Sequence, residues 1–265
     1  MSAHFLWQNG EIVTEFLLSP SSDRAKSGFW LGDGIFETLL VDGGHIFALN
    51  RHLERLNAAA EKLSIDPMPL HSALNSGLEL ALAWLQGRIG QIRISLLSSG
   101  DCLLTAKTHE LPEKSAQLTL YPFAKNQDSI LAGVKTLSYG ENAHALRYAR
   151  SKGFDDVIFL NLRDEICESA LANLLLFDGS KWWTPPLSSG ALPGVTRELL
   201  IAQFNVGEQT FSLRDLSEMK ALALTSSLRD IQPISKFEDH SYLALNEVAR
   251  LREDFQKWRR AEIDP

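Results

Sequence analysis

Short apolar segments separated by glycine-containing turns recur along this chain of 265 residues. The run Phe5–Gln8 is followed by Asn9–Gly10, a dipeptide that favours a type I′ turn between two antiparallel strands. Asp42–Gly44 and Asp178–Gly179 separate two further pairs of strand-like runs. Because such turns join strands that are neighbours in a sheet, the pattern predicts antiparallel sheets in both halves of the chain.

Helical patterns lie between these strands. Apolar residues at helical spacing predict one helix capped by Asn50 and a second over 70–86. The stretch 122–128, PFAKNQD, is polar and irregular, which predicts an interdomain linker. The predicted fold class is α/β, of the α+β kind, with a smaller N-terminal domain at 1–121 and a larger C-terminal domain at 129–265.

Charge and cysteine content narrow the classes of partner. The chain has 26 Lys and Arg residues against 33 Asp and Glu residues, and its net charge of −7 argues against nucleic acid and membrane surfaces as partners. Cys102 and Cys167 give no disulfide framework, and no residues have the spacing of metal ligands, so no metal is expected. No signal peptide or membrane-spanning run is apparent, which predicts a cytoplasmic protein.

Two motifs could hold a reactive group and an anion. Lys135 follows small and apolar residues on a predicted short strand, and a lysine in an apolar pocket can act as nucleophile and base. Pro193–Gly194 predicts a turn before a helix that begins at Val195, and a helix N-terminus binds phosphate well. The alternatives are an ordinary lysine on an edge strand and an ordinary junction between loop and helix.

Two charged residues have the chemistry to accompany such a site. Glu168 lies between two strand-like runs, where a carboxylate is costly to bury unless it meets a cation. A glutamate at a strand end, in contact with water, is the alternative. Arg55 lies on the first predicted helix and could present its planar guanidinium to a phosphate, or extend along the surface.

The order of the motifs resembles that of the fold-type IV pyridoxal-phosphate enzymes, over nearly the whole chain. These enzymes include branched-chain aminotransferases, D-amino-acid aminotransferases and aminodeoxychorismate lyases. The resemblance implies two α/β domains with pyridoxal 5′-phosphate between them, in a homodimer that acts on a small amino compound. The motifs are GDGIFET at 32–38, RHLERL at 51–56, Lys135, Glu168 with Asn173, SSGALPGVTRELL at 188–200 and LTSSLRDIQPI at 224–234.

The resemblance also implies a role for each site residue. Lys135 would be the Schiff-base lysine and the catalytic base, and Glu168 would keep the pyridine nitrogen of the cofactor protonated. Phe36 and Arg93 would contact the substrate, with Arg93 as a candidate for its carboxylate; a structural ion pair at the strand end is the alternative for Arg93. The phosphate would be held by a guanidinium, two helix N–H groups and a hydroxyl, from Arg55, Val195, Thr196, and Ser226 or Ser227.

Departures from the family patterns bear on the reaction. Leu31 and Leu40 stand where branched-chain aminotransferases carry a tyrosine and an arginine, and 96–100 reads LLSSG where D-amino-acid aminotransferases place an arginine and a histidine. The stretch 135–161 is similar to aminodeoxychorismate lyases. This similarity implies a 4-amino-4-deoxychorismate lyase that releases pyruvate and 4-aminobenzoate in folate biosynthesis. The alternatives are an aminotransferase acting on D-amino or branched-chain amino acids, and a degenerate member without catalytic activity.

Overall fold

The computed structural model describes residues 4–17, 28–66 and 71–265. The chain divides into two compact units. The first unit contains the described part of Met1–Glu110 together with Val134–Tyr139 and Glu262–Pro265, and the second contains Leu111–Gly133 and Gly140–Ala261.

This division does not follow the predicted domain boundaries. The predicted linker at 122–128 lies within the second unit, because the strand before it, Ala116–Leu120, pairs with strands of that unit. The segment Val134–Tyr139 and the C-terminal residues Glu262–Pro265 belong to the first unit, because both are hydrogen-bonded to it. Lys135 is therefore part of the first unit.

The first unit contains an antiparallel sheet of six strands among the described residues: β1 (Phe5–Gln8), β2 (Glu11–Ile12), β3 (Gly34–Asp42), β4 (His45–Ile46), β5 (Gly90–Leu97) and β6 (Cys102–Thr108). Their order in the sheet is β2-β1-β6-β5-β3-β4. The two helices that pack on this sheet are α1 (Leu49–Lys62) and α2 (His71–Leu85). The core contains the fully buried Trp7, Leu39 and Ile92. The interior strand β6 has no counterpart among the predicted strands.

Helix α1 begins two residues earlier than predicted, at Leu49, and Asn50 is not its N-cap. Ala48 occupies the N-cap position in the left-handed region, with φ 55°. The C-terminal segment supplies acceptors at this end: the Ala48 N–H donates to the Ile263 carbonyl at 2.9 Å, and the Asn50 N–H donates to Asp264 Oδ1 at 3.0 Å. Since the first N–H groups of a helix have no partner within it, this distant carboxylate takes the part predicted for the Asn50 side chain.

The second unit contains a mixed sheet. Its strands are β7 (Ala116–Leu120), β8 (Asp156–Leu160), β9 (Ile166–Ser169), β10 (Asn173–Phe177), β11 (Trp182–Thr184), β12 (Gly207–Glu208), β13 (Ala221–Ser226), β14 (Asp230–Phe237) and β15 (His240–Ser241). Their order is β12-β11-β10-β13-β14-β7-β8-β9, with β15 beside β14. The pairs β11/β12, β14/β7 and β7/β8 are parallel and the others are antiparallel. The helices are α3 (Gly140–Ser151), α4 (Val195–Phe204) and α5 (Leu245–Ala261).

Helices of the second unit cover particular strands of its sheet. Helix α3 packs on β8, α4 packs on β13, and α5 packs on β13 and β14. None of the helices in the described part of the chain is long and apolar enough to cross a membrane. Nor do the described residues contain a group of three or more His, Cys, Asp or Glu side chains that could hold a metal ion.

Candidate active site

Lys135 lies beside β3 in the first unit, on a segment that forms a single bridge rather than the predicted short strand. The Phe36 N–H donates to the Lys135 carbonyl at 2.8 Å, and the Leu137 N–H donates to the Gly34 carbonyl at 2.8 Å. The Thr136 hydroxyl also donates to the Gly34 carbonyl, at 3.1 Å. These bonds fix the backbone on both sides of Lys135, so its side chain projects from a defined position against the sheet.

The Phe36 ring brings the Lys135 amine and the Arg93 guanidinium together. Lys135 Nζ lies 4.5 Å from the centroid of this ring, and Arg93 Cζ lies 3.5 Å from it. The Tyr139 ring meets Phe36 edge-on, with 5.5 Å between centroids. Phe36 is only 4% exposed, so both cations are held against a buried aromatic surface.

Arg93 is half-buried on β5 and has no carboxylate partner among the residues that the structure describes. Its Nε donates to Ser95 Oγ at 3.3 Å. Burial lowers the pKa of Arg93 from its ordinary value, and interaction with Tyr139 opposes that change. A partly desolvated guanidinium of this kind is suited to bind an anion. The alternative prediction of a structural ion pair is wrong for the described part of the chain.

Arg55 forms part of a buried group that we call the Glu37 cluster, composed of Glu37, His52 and Arg55. Arg55 Nε donates to Glu37 Oε1 and Arg55 Nη2 donates to Glu37 Oε2, both at 2.7 Å. His52 Nδ1 lies 2.7 Å from Glu37 Oε2. The two-point pair fixes one edge of the planar guanidinium, and thereby orients the residue predicted to bind phosphate.

The pKa values of Glu37 and His52 determine which groups of the Glu37 cluster are charged. Burial by itself would raise the pKa of Glu37, but the charge of Arg55 and the hydrogen bonds from His52 and Arg55 lower it to about 2. Burial lowers the pKa of His52, against the influence of Glu37, and the charges of Arg55 and Lys135 act in the same direction as burial. Glu37 is therefore ionised and His52 neutral at pH 7.

Glu168 lies on β9 in the second unit and is 6% exposed, so the alternative of a solvated glutamate is wrong. Its Oε1 accepts a hydrogen bond from the ammonium of Lys125. Its Oε2 accepts one from the Leu192 N–H at 2.9 Å and a longer one from Asn173 Nδ2 at 3.4 Å. We call these four residues the Glu168 cluster; they give a buried carboxylate the cation and donors that its burial requires.

Asn173 connects this cluster to the loop before α4. Its Nδ2 donates to the Leu192 carbonyl at 2.9 Å as well as to Glu168. A Cβ added at Gly194 would lie 2.0 Å from Asn173 Oδ1, which is closer than atoms can approach. Glycine is therefore required at 194 for the loop to pack on Asn173, and this contact fixes the start of α4 relative to Glu168.

The N-terminus of α4 is a receptive site for an anion. Gly194 is the N-cap and has no side chain to cap the helix, while Val195 and Thr196 in the first turn are buried. The first N–H groups of a helix lack acceptors within it, and the aligned peptide dipoles favour negative charge there. The backbone N–H groups of Val195 and Thr196 thus have the chemistry predicted for phosphate binding.

The predicted serines lie at the end of the strand on which this helix packs. Ser226 ends β13, the strand on which α4 packs, and Ser227 begins the turn between β13 and β14. Both serines are half-buried. Their role as hydroxyl donors to phosphate stays a prediction, as do the roles of Arg55, Val195 and Thr196.

The sequence patterns missed Lys125 and the partners of Arg55. Lys125 lies in the stretch predicted as a linker, where no periodicity marks a buried position, so no local signal identifies it. Glu37 carries a signal that could have been used, since it is the one charged residue within the otherwise uncharged run Gly34–Val41. A charge inside such a strand predicts a buried ion pair.

Comparison with known proteins places the chain in a family. A family model described as amino-transferase class IV matches residues 34–237. Aminodeoxychorismate lyase from Bacillus subtilis (strain 168) is 27% identical over 261 residues, which cover 89% of this chain and 88% of that protein. D-alanine aminotransferase from Listeria monocytogenes serotype 4b (strain F2365) is 23% identical over 238 residues, which cover 82% of each protein.

The fold of this chain is also similar to that of a solved transaminase structure. The fold IV-transaminase CpuTA1 from Curtobacterium pusillum is similar with a TM-score of 0.84 and 24% identity, and the match covers 100% of both chains. The likeness confirms the predicted fold-type IV architecture of mixed helices and strands in two domains. The family model extends over more than half of the chain, and this chain belongs to the class IV aminotransferase family of pyridoxal-phosphate-dependent enzymes.

Proposed function

We propose that this enzyme is a 4-amino-4-deoxychorismate lyase, which releases pyruvate and 4-aminobenzoate in folate biosynthesis. The observation that carries the proposal is the contact of Lys135 and Arg93 with the same Phe36 ring. An amine that can accept a proton and a guanidinium that can bind a carboxylate lie together there, and the substrate carries carboxylates near its reacting carbon. The lyase reaction is further supported by the similarity of 135–161 to lyases and by the relative from Bacillus subtilis.

The residues present fit pyridoxal 5′-phosphate. The Glu168 carboxylate suits a protonated ring nitrogen, and the uncapped N-terminus of α4, fixed next to it through Asn173, suits a phosphate. Arg55, Val195, Thr196 and one of the two serines would hold that phosphate, and Lys135 would hold the cofactor covalently. When bound, the cofactor supplies an electron sink for the bonds that break at the substrate.

The chain's own contribution is orientation and proton transfer. Arg93 would bind a substrate carboxylate and so place ring carbon 4 next to the Lys135 amine. Lys135 would take the proton from ring carbon 4, after which the C–O bond to the enolpyruvyl group breaks and that group leaves as pyruvate on gaining a proton. The loss of this group makes the ring aromatic, which drives the second half of the reaction.

An assay with the purified enzyme and 4-amino-4-deoxychorismate tests the proposal. We expect equal amounts of 4-aminobenzoate and pyruvate, and borohydride should fix the yellow cofactor to Lys135. Lys135→Ala should remove the fixed label and lower the turnover rate about 10²–10⁴-fold, the usual contribution of a general base. Lys152→Ala is the control, because this lysine lies on the surface of the second unit, at the end of α3.

An aminotransferase is the second candidate, supported by the relative from Listeria monocytogenes and by the transaminase of known structure. Lys135 would then move a proton from the Cα of a D-amino or branched-chain amino acid. The same preparation should therefore be tested with D-alanine or L-leucine and 2-oxoglutarate. Keto-acid production without any 4-aminobenzoate would rule out the lyase.

A further inference from the structure

Lys125 is a half-buried lysine that the proposed reaction does not use. Its side chain is 16% exposed, and its ammonium pairs with Glu168 Oε1 and lies 5.7 Å from the centroid of the Phe159 ring. Its backbone is held as firmly as a strand residue, because its N–H donates to the Leu160 carbonyl at 2.7 Å and Lys125 forms a parallel bridge with Asn161. The lysine is therefore placed by the fold next to the carboxylate.

The acceptor positions on Glu168 are almost fully used in this arrangement. A carboxylate has about four lone-pair positions, two on each oxygen. Oε2 accepts from the Leu192 N–H and from Asn173, whereas Oε1 accepts from Lys125. The position that is left lies on Oε1, the oxygen that already carries the ammonium. A second cation that binds Glu168 must share this oxygen with Lys125.

We propose that Lys125 competes with the ring nitrogen of the cofactor for Glu168, and so limits the protonation of that nitrogen. The inference rests on the proposed role of Glu168 as the partner of the ring nitrogen. Two positive charges on one carboxylate repel each other, and repulsion by a like charge disfavours the protonated form of a base. Lys125 is thus a positioning residue that acts through Glu168.

The competition has a consequence for the choice of reaction. A ring nitrogen that is less fully protonated withdraws less electron density from the substrate. An aminotransferase depends strongly on this withdrawal, because the negative charge left at Cα is not delocalised into any other part of the substrate. A lyase whose product is an aromatic ring needs less of it. A lysine at 125 therefore suits the lyase better than the aminotransferase.

The ring nitrogen can be observed directly by ¹⁵N NMR of the enzyme loaded with ¹⁵N-labelled pyridoxal 5′-phosphate. In Lys125→Met, we expect the ¹⁵N signal to move toward the pyridinium value, and its titration midpoint to rise by about 1–3 pH units. Lys125→Gln should give the same change, since it also lacks the charge, and Lys125→Arg should restore the wild-type signal. The matched control is Lys257→Met, which breaks an exposed Lys–Glu pair on α5 in the same unit.

Each outcome decides between the competing roles of Lys125. An unchanged ¹⁵N signal in Lys125→Met, or a change toward neutral pyridine, would overturn the proposal. Loss of cofactor binding in both neutral variants would also overturn it, because Lys125 would then only support the fold. Failure of the wild-type enzyme to bind the cofactor, or a borohydride label on a residue other than Lys135, would instead refute the proposed function.

Discussion

Two buried glutamates, Glu37 on β3 of the first unit and Glu168 on β9 of the second, pair with cations in different ways. Glu37 receives a two-point pair from the planar guanidinium of Arg55, and a further contact from His52. Glu168 receives a single contact from the Lys125 ammonium, and its other donors are uncharged. An arginine fork fixes the plane of a carboxylate, whereas a lysine is a point charge on a flexible stem. The Glu37 cluster is therefore suited to hold a structure in place, and the Glu168 cluster to admit another cation.

The largest difference is expected when each carboxylate is neutralised. Glu37→Gln should lower the free energy of unfolding by about 3–5 kcal/mol, because the half-buried Arg55 guanidinium is left without its anion. Glu168→Gln should cost only about 1–2 kcal/mol, because the Lys125 stem can carry its ammonium toward water. Urea denaturation of both variants measures the two values. Equal losses would show that the two clusters do not differ as described.

The contribution of the Glu37 cluster to the free energy of unfolding should be visible in its dependence on pH. The pKa of Glu37 is lowered from 4.5 to about 2 in the folded chain, so the ionised carboxylate stabilises the fold fully above about pH 4.5. This stabilisation, about 3 kcal/mol, is lost as the pH falls toward 2. Urea denaturation at several values between pH 5 and about pH 3 should show the loss in the wild-type protein. Glu37→Gln should lack this part of the profile; a variant with the same decline would refute the assignment.

A smaller loss of stability is expected when the packing of Asn173 in the Glu168 cluster is disturbed. Gly194→Ala forces a Cβ onto Asn173 Oδ1, so it should cost about 1–3 kcal/mol and weaken cofactor binding. Gly140→Ala is the matched control, since Gly140 begins α3 and an added Cβ there meets no atom within 4 Å. Its effect should be within about 0.5 kcal/mol. Thermal unfolding of the two variants measures the difference, and similar melting temperatures would show that the close approach is not needed.

The sequence predicted most of the strands that have local signals. The hairpin at Asn9–Gly10, the pair β3/β4 and the pair β10/β11 all appear where glycine turns separate apolar runs. The prediction failed for β6, whose run CLLTAKT does not alternate cleanly, since three buried residues come in a row. It also failed for the N-cap of α1, because the acceptor at that end comes from Asp264. The error at α1 lies where a distant segment supplies the partner, whereas β6 pairs both with the distant β1 and with β5, which directly precedes it.

The family and its motifs were determined by the sequence alone, because turn residues, periodicity and motif order are local properties of the chain. The family model confirms that resemblance. Only the tertiary structure decided which polar groups meet: Lys125 with Glu168 across 43 residues, and the Asn50 N–H with Asp264 across 214 residues. Pairs at such separations depend on the path by which the chain returns to itself. The types of site residue could thus be identified from the sequence. The two-point pair of Arg55 with Glu37 and the single lysine contact at Glu168 could be identified only from the folded structure.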